Sequence, residues 1–129
     1  MIIDDPATKA EVEAAFAAYE QALTTNDVAA LDGFFHDAPT SVRYGGGENL
    51  YGYEEIKAFR AARPAVGLAR KLERTQITTY GGDLAIAATL FRRESSPGKI
   101  GRQMQTWVRF PSGWRIVAAH VSLIEEPKA

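Results

Sequence analysis

The stretch IGRQMQTWVRFPSGWRIVAAHVSLI, residues 100–124, reads as two long strands joined at Pro111-Ser112-Gly113. Proline, serine and glycine supply the backbone conformations of a tight turn, and so short a connection makes its flanking strands antiparallel neighbours. Working back toward the N-terminus, Leu84 to Glu94 is strongly apolar and then charged, and Leu68 to Tyr80 alternates moderately. Ser95-Ser96-Pro97-Gly98 and Gly81-Gly82-Asp83 punctuate these runs as turns. The second half of the chain is therefore expected to be a four-stranded antiparallel meander, ending in a frayed polar tail from Glu125 through Lys128.

The first half is mainly helical. Asp5-Pro6 is an N-cap followed by a proline whose missing N–H has no partner to lose in a first helical turn. Val12, Phe16, Tyr19 and Leu23 then fall on one face, up to a stop near Thr24-Thr25-Asn26. Asp27 caps a short second helix that turns Val28, Leu31 and Phe35 inward. Thr40 to Tyr44 reads as a short strand interrupted by Gly45-Gly46-Gly47. A third helix runs from Tyr53 to about Ala62, and Pro64 forces its end near Arg63. Helices first and hairpins after give an α+β arrangement in one domain, residues 1–129, whose curved sheet and helices leave a hollow between them.

Composition narrows the partners. Fifteen basic residues face sixteen acidic ones for a formal charge of -1, which gives no reason to expect nucleic acid or an anionic membrane surface. There is no cysteine, hence no disulfide, thiolate metal site or thiol nucleophile. The two histidines lie far apart, and no carboxylate pair stands beside either at ligand spacing, so no metal is expected. The N-terminus has no signal-peptide pattern and nothing reaches the roughly 20 apolar residues of a membrane span, which leads to the expectation of a cytoplasmic protein.

Function is sought where polar groups interrupt apolar faces. Tyr19 shares the inward face of the first helix, and its phenol needs a partner once buried. Arg60 and Arg63 stand at i+4 and i+7 from Ile56, on or beside the buried stripe of the third helix; the alternative is that their stems pack and their heads reach water. Alternation alone puts Arg43 on the solvent side of its strand, although the glycines after it can rotate the chain. His120 shares the parity of Trp114, Ile116 and Ala118 and opposes Val117 and Val121, and since both sets are largely apolar parity does not say which face lines the hollow; Gln103 and Gln105 share the parity of Trp107. Arg60, Arg63, His120 and Gln105 are the candidate substrate-binding residues, suited to a small carboxylate. Arg92-Arg93 reads as the solvated end of a hairpin. The glycine run lacks the Lys-Ser/Thr of a phosphate loop, and no nucleophile elbow exists.

Several stretches together resemble the AtzH-like branch of the SnoaL/NTF2-like superfamily, to which the oxalurate-catabolism protein HpxZ also belongs. They are Thr40-Ser41-Val42-Arg43-Tyr44-Gly45, Gly47-Glu48-Asn49-Leu50-Tyr51-Gly52, Gln103-Met104-Gln105-Thr106-Trp107-Val108-Arg109 and Gly113-Trp114-Arg115-Ile116-Val117. The resemblance implies an NTF2-like cone with three N-terminal helices packed on a curved antiparallel sheet. It also implies no cofactor, a homodimer or higher homo-oligomer, and an amidase of the same pathway as a partner. It implies a decarboxylase that converts a small carboxylated urea such as 1,3-dicarboxyurea into allophanate, or acts on a related oxalurate-type compound, with Tyr19 and Arg43 as the catalytic residues. Two other classes compete with this one. A non-catalytic anion-binding or amidase-associated protein would use the same arginines. An isomerase of the ketosteroid kind would need a buried carboxylate base, and Asp32, Asp37 and Glu73 are not evidently placed to supply it.

Overall fold

The computed structural model describes residues 1–127, so Lys128 of the expected tail lies outside the described residues. The element order is α1 (Pro6–Thr24), α2 (Val28–Phe34), β1 (Val42–Tyr44), β2 (Asn49–Tyr51), α3 (Tyr53–Ala62), β3 (Lys71–Tyr80), β4 (Leu84–Arg92), β5 (Lys99–Phe110) and β6 (Gly113–Glu125). The helix starts follow from their caps. The Asp5 carboxylate accepts the Thr8 N–H at 3.0 Å, and that of Asp27 accepts the Ala30 N–H at 3.2 Å. α3 stops where Pro64 demands an extended predecessor, and Arg63 takes φ −72°, ψ 135°.

The six strands form one sheet in the order β2-β1-β6-β5-β4-β3. Two corrections to the expected meander follow. A second short strand, β2, completes a hairpin with β1 across the glycine turn. And β1 lies parallel to β6, so the sheet is antiparallel everywhere except at this closing pair. The expected frayed tail is also corrected as far as Glu126, because Glu125 belongs to β6, Glu126 N–H donates to the Gly98 carbonyl at 2.9 Å, and its carboxylate pairs with Arg92.

All three helices cover one face of the sheet, although α3 follows β1 and β2 in the chain. The core joins Val12, Phe16, Tyr19 and Leu23 of α1, Leu31 of α2 and Ile56 of α3 to Ile77, Ala87, Trp107, Ile116 and Ala119 of the sheet. Trp107 is fully buried and meets the rings of Tyr19 and Phe34 edge-on, at centroid distances of 6.4 and 6.1 Å. The side-chain row across this inner face runs Leu50, Arg43, Ala119, Gln105, Ala87 and Ile77. Among the described residues no helix is long and apolar enough to cross a membrane.

A bulge in β6 decides which residues share that face. Thr106 pairs with Ala118 but Trp107 with Ile116, so Val117 is extra and the parity of everything after it is reversed. Trp114 and Ile116 point inward before the bulge, and Ala119 and Val121 after it. His120 is thereby turned to the outer face.

Candidate anion site

At one end of the inner face lies a cavity of about 220 Å³. Four elements converge on it. β1 brings Arg43, whose guanidinium stands 5.6 Å from the Phe59 ring centroid of α3. The end of α3 brings Arg63, held at the rim by the proline stop. The residue just after β4 brings Arg93, 4.9 Å from the centroid of Phe91. Apolar wall comes from Phe59, Phe91, Leu68 and Val121. Phe91 can lie there because it faces Gly101 on β5, where any Cβ would run into its ring.

The three arginines differ in what they already hold. Arg43 Nη1 donates to Glu48 Oε1 at 2.9 Å. Arg63 Nε and Nη2, and Arg93 Nε, are buried and find no hydrogen-bond partner among the described residues. Such donors keep their full desolvation cost until an acceptor arrives. Burial first, and then the neighbouring Arg60, pull the Arg63 guanidinium below its ordinary value, while nearby Tyr19 acts in the opposite sense. Burial and then Arg70 do the same to Arg93, with Glu20 and Tyr19 opposing. Two half-buried cations without an ion-pair partner among the described residues, beside an apolar wall, make a receptor for a small anion, and guanidinium forks suit carboxylate.

The sequence candidates are distributed unevenly around this cavity. Arg43 and Arg63 line it. Arg60, only 4% exposed, turns the other way, pairs with Asp32 at 2.7 Å and lies 5.1 Å from the Phe35 centroid. It is a buried ion-pair partner of α2, corrected from its expected place in the ligand pocket. Gln105 is buried under the aromatic cluster and accepts the Trp107 indole N–H at 3.1 Å, outside the cavity lining. His120 is exposed on the opposite face beside Tyr44. Tyr19, 5% exposed, is held between Phe34 and Trp107 behind the cavity, near enough to Arg63 and Arg93 to act on their charge.

The residue that the sequence reading set aside is Arg93. Its neighbour Arg92 does sit at the solvated edge, paired with Glu73 at 2.8 Å and Glu126 at 2.9 Å. The signal for Arg93 is parity, since Ala85, Ala87, Thr89 and Phe91 are all buried and 93 continues the series. Of the carboxylates weighed for an isomerase, Asp32 and Glu73 are taken up by Arg60 and Arg92. No group of three metal-ligating side chains occurs among the described residues.

Comparison with known proteins agrees with this architecture. A family model described as AtzH-like matches residues 1–127. A protein of unknown function of the DUF3225 family from Pectobacterium atrosepticum is 61% identical, with 95% of each chain covered and a TM-score of 0.93. A cystatin-like fold protein from Burkholderia xenovorans is 47% identical, covering 98% of this chain and 99% of that one, with a TM-score of 0.94. An NTF2-like protein of unknown function from Pseudomonas putida shares the fold at 17% identity, with 95% and 97% coverage and a TM-score of 0.78. A search of curated proteins finds no match.

Proposed function

The chain belongs to the AtzH-like family, and on that premise we propose that it is a cofactor-independent decarboxylase of a small carboxylated urea, such as 1,3-dicarboxyurea giving allophanate, or of a related oxalurate-type compound. The observation that carries this reading is the pair of half-buried arginines, Arg63 and Arg93, which line one small cavity and hold buried N–H groups without a partner among the described residues. Loss of CO2 from an N-carboxylate breaks the C–N bond and leaves the electron pair on nitrogen, so one proton must be delivered there. Tyr19 is the proposed donor, since its phenol lies on the inward face of α1, near Arg63 and Arg93. It then regains its proton from water.

A cation gripping the departing carboxylate would stabilise the ground state and slow the reaction. Arg63 and Arg93 are therefore assigned to the retained carboxylate and the carbonyl oxygen, where negative charge grows. The departing group is assigned to the wall of Phe59, Leu68 and Phe91. Arg43 orients the substrate at the mouth. The test is CO2 release from 1,3-dicarboxyurea by the wild type and by Tyr19→Phe and Arg43→Ala. A large rate loss in both, with dicarboxylate binding kept in Tyr19→Phe, is the expected result, and wild-type rates in both reject the roles.

A second reading is favoured by one observation. Tyr19 is enclosed by aromatic rings and is absent from the cavity lining. A protein that binds the anion without turning it over, alone or beside an amidase, needs the arginines but not the phenol. Tight binding of a dicarboxylate with no CO2 release would select it. Either reading carries a homodimer, for which the outer sheet face supplies apolar area at Met104 and Tyr51, each 56% exposed.

A further inference from the structure

Three arginines line the cavity, and among the described residues two of them, Arg63 and Arg93, hold buried N–H groups without a partner. The third, Arg43, is met by a carboxylate from the chain itself. Glu48 Oε1 accepts from Arg43 Nη1 at 2.9 Å, and Oε2 accepts the Gly47 N–H at 3.1 Å. Both oxygens are held, and the side chain is part of the cavity lining. The turn between β1 and β2 is shaped for this. A Cβ on Gly45 would overlap the Glu48 carboxylate, while the Gly45 backbone has no left-handed φ that would itself exclude alanine. The missing methyl group is what lets the carboxylate fold back onto Arg43.

We propose that Glu48 sets the charge of the ligand, cancelling Arg43 so that the cavity presents two net positive charges and selects a dianion over both a monoanion and a trianion. The inference rests on reading the cavity as an anion site and adds to it the ligand's charge. A monoanion leaves one of Arg63 and Arg93 without a counter-charge in a half-buried place. A trianion brings its third carboxylate toward Arg43 and meets Glu48 there, a like-charge contact that excludes it. The dianion alone brings the net charge of the cavity to zero, whichever of its carboxylates the two cations hold. Glu48 also keeps acceptor positions to spare, since an ionised carboxylate has about four and the two named bonds use two. A ligand with an N–H near the mouth can donate to it.

The experiment is calorimetric titration at pH 8 with three acids of one backbone: butyrate, glutarate and tricarballylate, carrying one, two and three carboxylates. Wild type is expected to bind glutarate about tenfold or more tighter than either of the others. In Glu48→Gln the tricarballylate-to-glutarate affinity ratio should rise about tenfold or more, because Arg43 is released. Gly45→Ala keeps the carboxylate but pushes it off Arg43, and should move the ratio the same way; it carries the test alone if Glu48→Gln does not fold. A ratio unchanged in these variants overturns the role of Glu48, while glutarate binding that is lost in Arg63→Ala keeps the anion site standing. No binding of any of the three acids by wild type overturns both.

Discussion

Arg92 and Arg93 are neighbours with opposite fates. The first is held in solvent by Glu126 and then Glu73, which raise its guanidinium above the ordinary value; the second turns onto Phe91 with a buried N–H that has no partner among the described residues. Arg93→Met is expected to weaken glutarate binding about thirtyfold or more. Removing an uncompensated half-buried charge should at the same time raise the melting temperature of the ligand-free protein. Arg92→Met should leave binding within about twofold. Titration calorimetry and thermal melts of the two variants check this contrast. Arg60 calls for the opposite expectation. Arg60→Met strands Asp32 without its partner and should cost about 3 kcal/mol in a denaturant titration. At this scale the sequence was legible where a side chain shares a regular face, as for Arg63 and Tyr19. It leaves the face of His120 open, because both parities of β6 are largely apolar and the inserted Val117 exchanges them midway, and it misleads where Arg92 and Arg93 read as one solvated pair.

Among the elements, the helices could be read almost to the residue, because their limits are set by local chemistry: Asp5-Pro6, Asp27 and Pro64. That gives α1 a testable start. The Thr8 backbone N–H, then its hydroxyl, hold the Asp5 carboxyl below its ordinary value. A carboxyl lowered in the folded state stabilises it fully above the unfolded pKa of 3.8, and loses that contribution as pH falls through the lower folded value. Asp5→Ala should therefore melt a few degrees lower than wild type at pH 7, and the gap should close progressively below that threshold. A gap independent of pH would mean that the cap acts only through shape. The β1–β2 hairpin was half hidden because three-residue strands show no period to read, and its glycine turn carries no apolar signal. Its importance lies in Glu48, which only the folded turn brings back to Arg43.

For the whole molecule, the sheet has two faces, and among the described residues the helices cover one of them. Among the described residues, Met104, Tyr44 and His120 share an outer surface lined by β1, β5 and β6 with no helical residue. A second copy of the chain is the expected cover. Met104→Glu should shift the species seen by sedimentation velocity from dimer to monomer while glutarate binding persists, since the cavity opens on the other side. A monomeric wild type would remove this assembly. The α+β architecture followed from the hairpins of the second half, but the pairing of β1 with β6 did not. It joins segments from opposite ends of the chain, and no local pattern encodes which distant edge a short strand will choose.

That parallel seam has a kinetic consequence. Arg43 is fixed beside Ala119, in the middle of the last strand, whereas Arg63 and Arg93 are anchored on segments that precede it in the chain. Contacts between remote segments form late and slowly. The receptor is thus finished only when the final strand docks. In refolding from denaturant, helix signal should return well before the ability to retain glutarate, and added glutarate should slow unfolding without hastening the early phases.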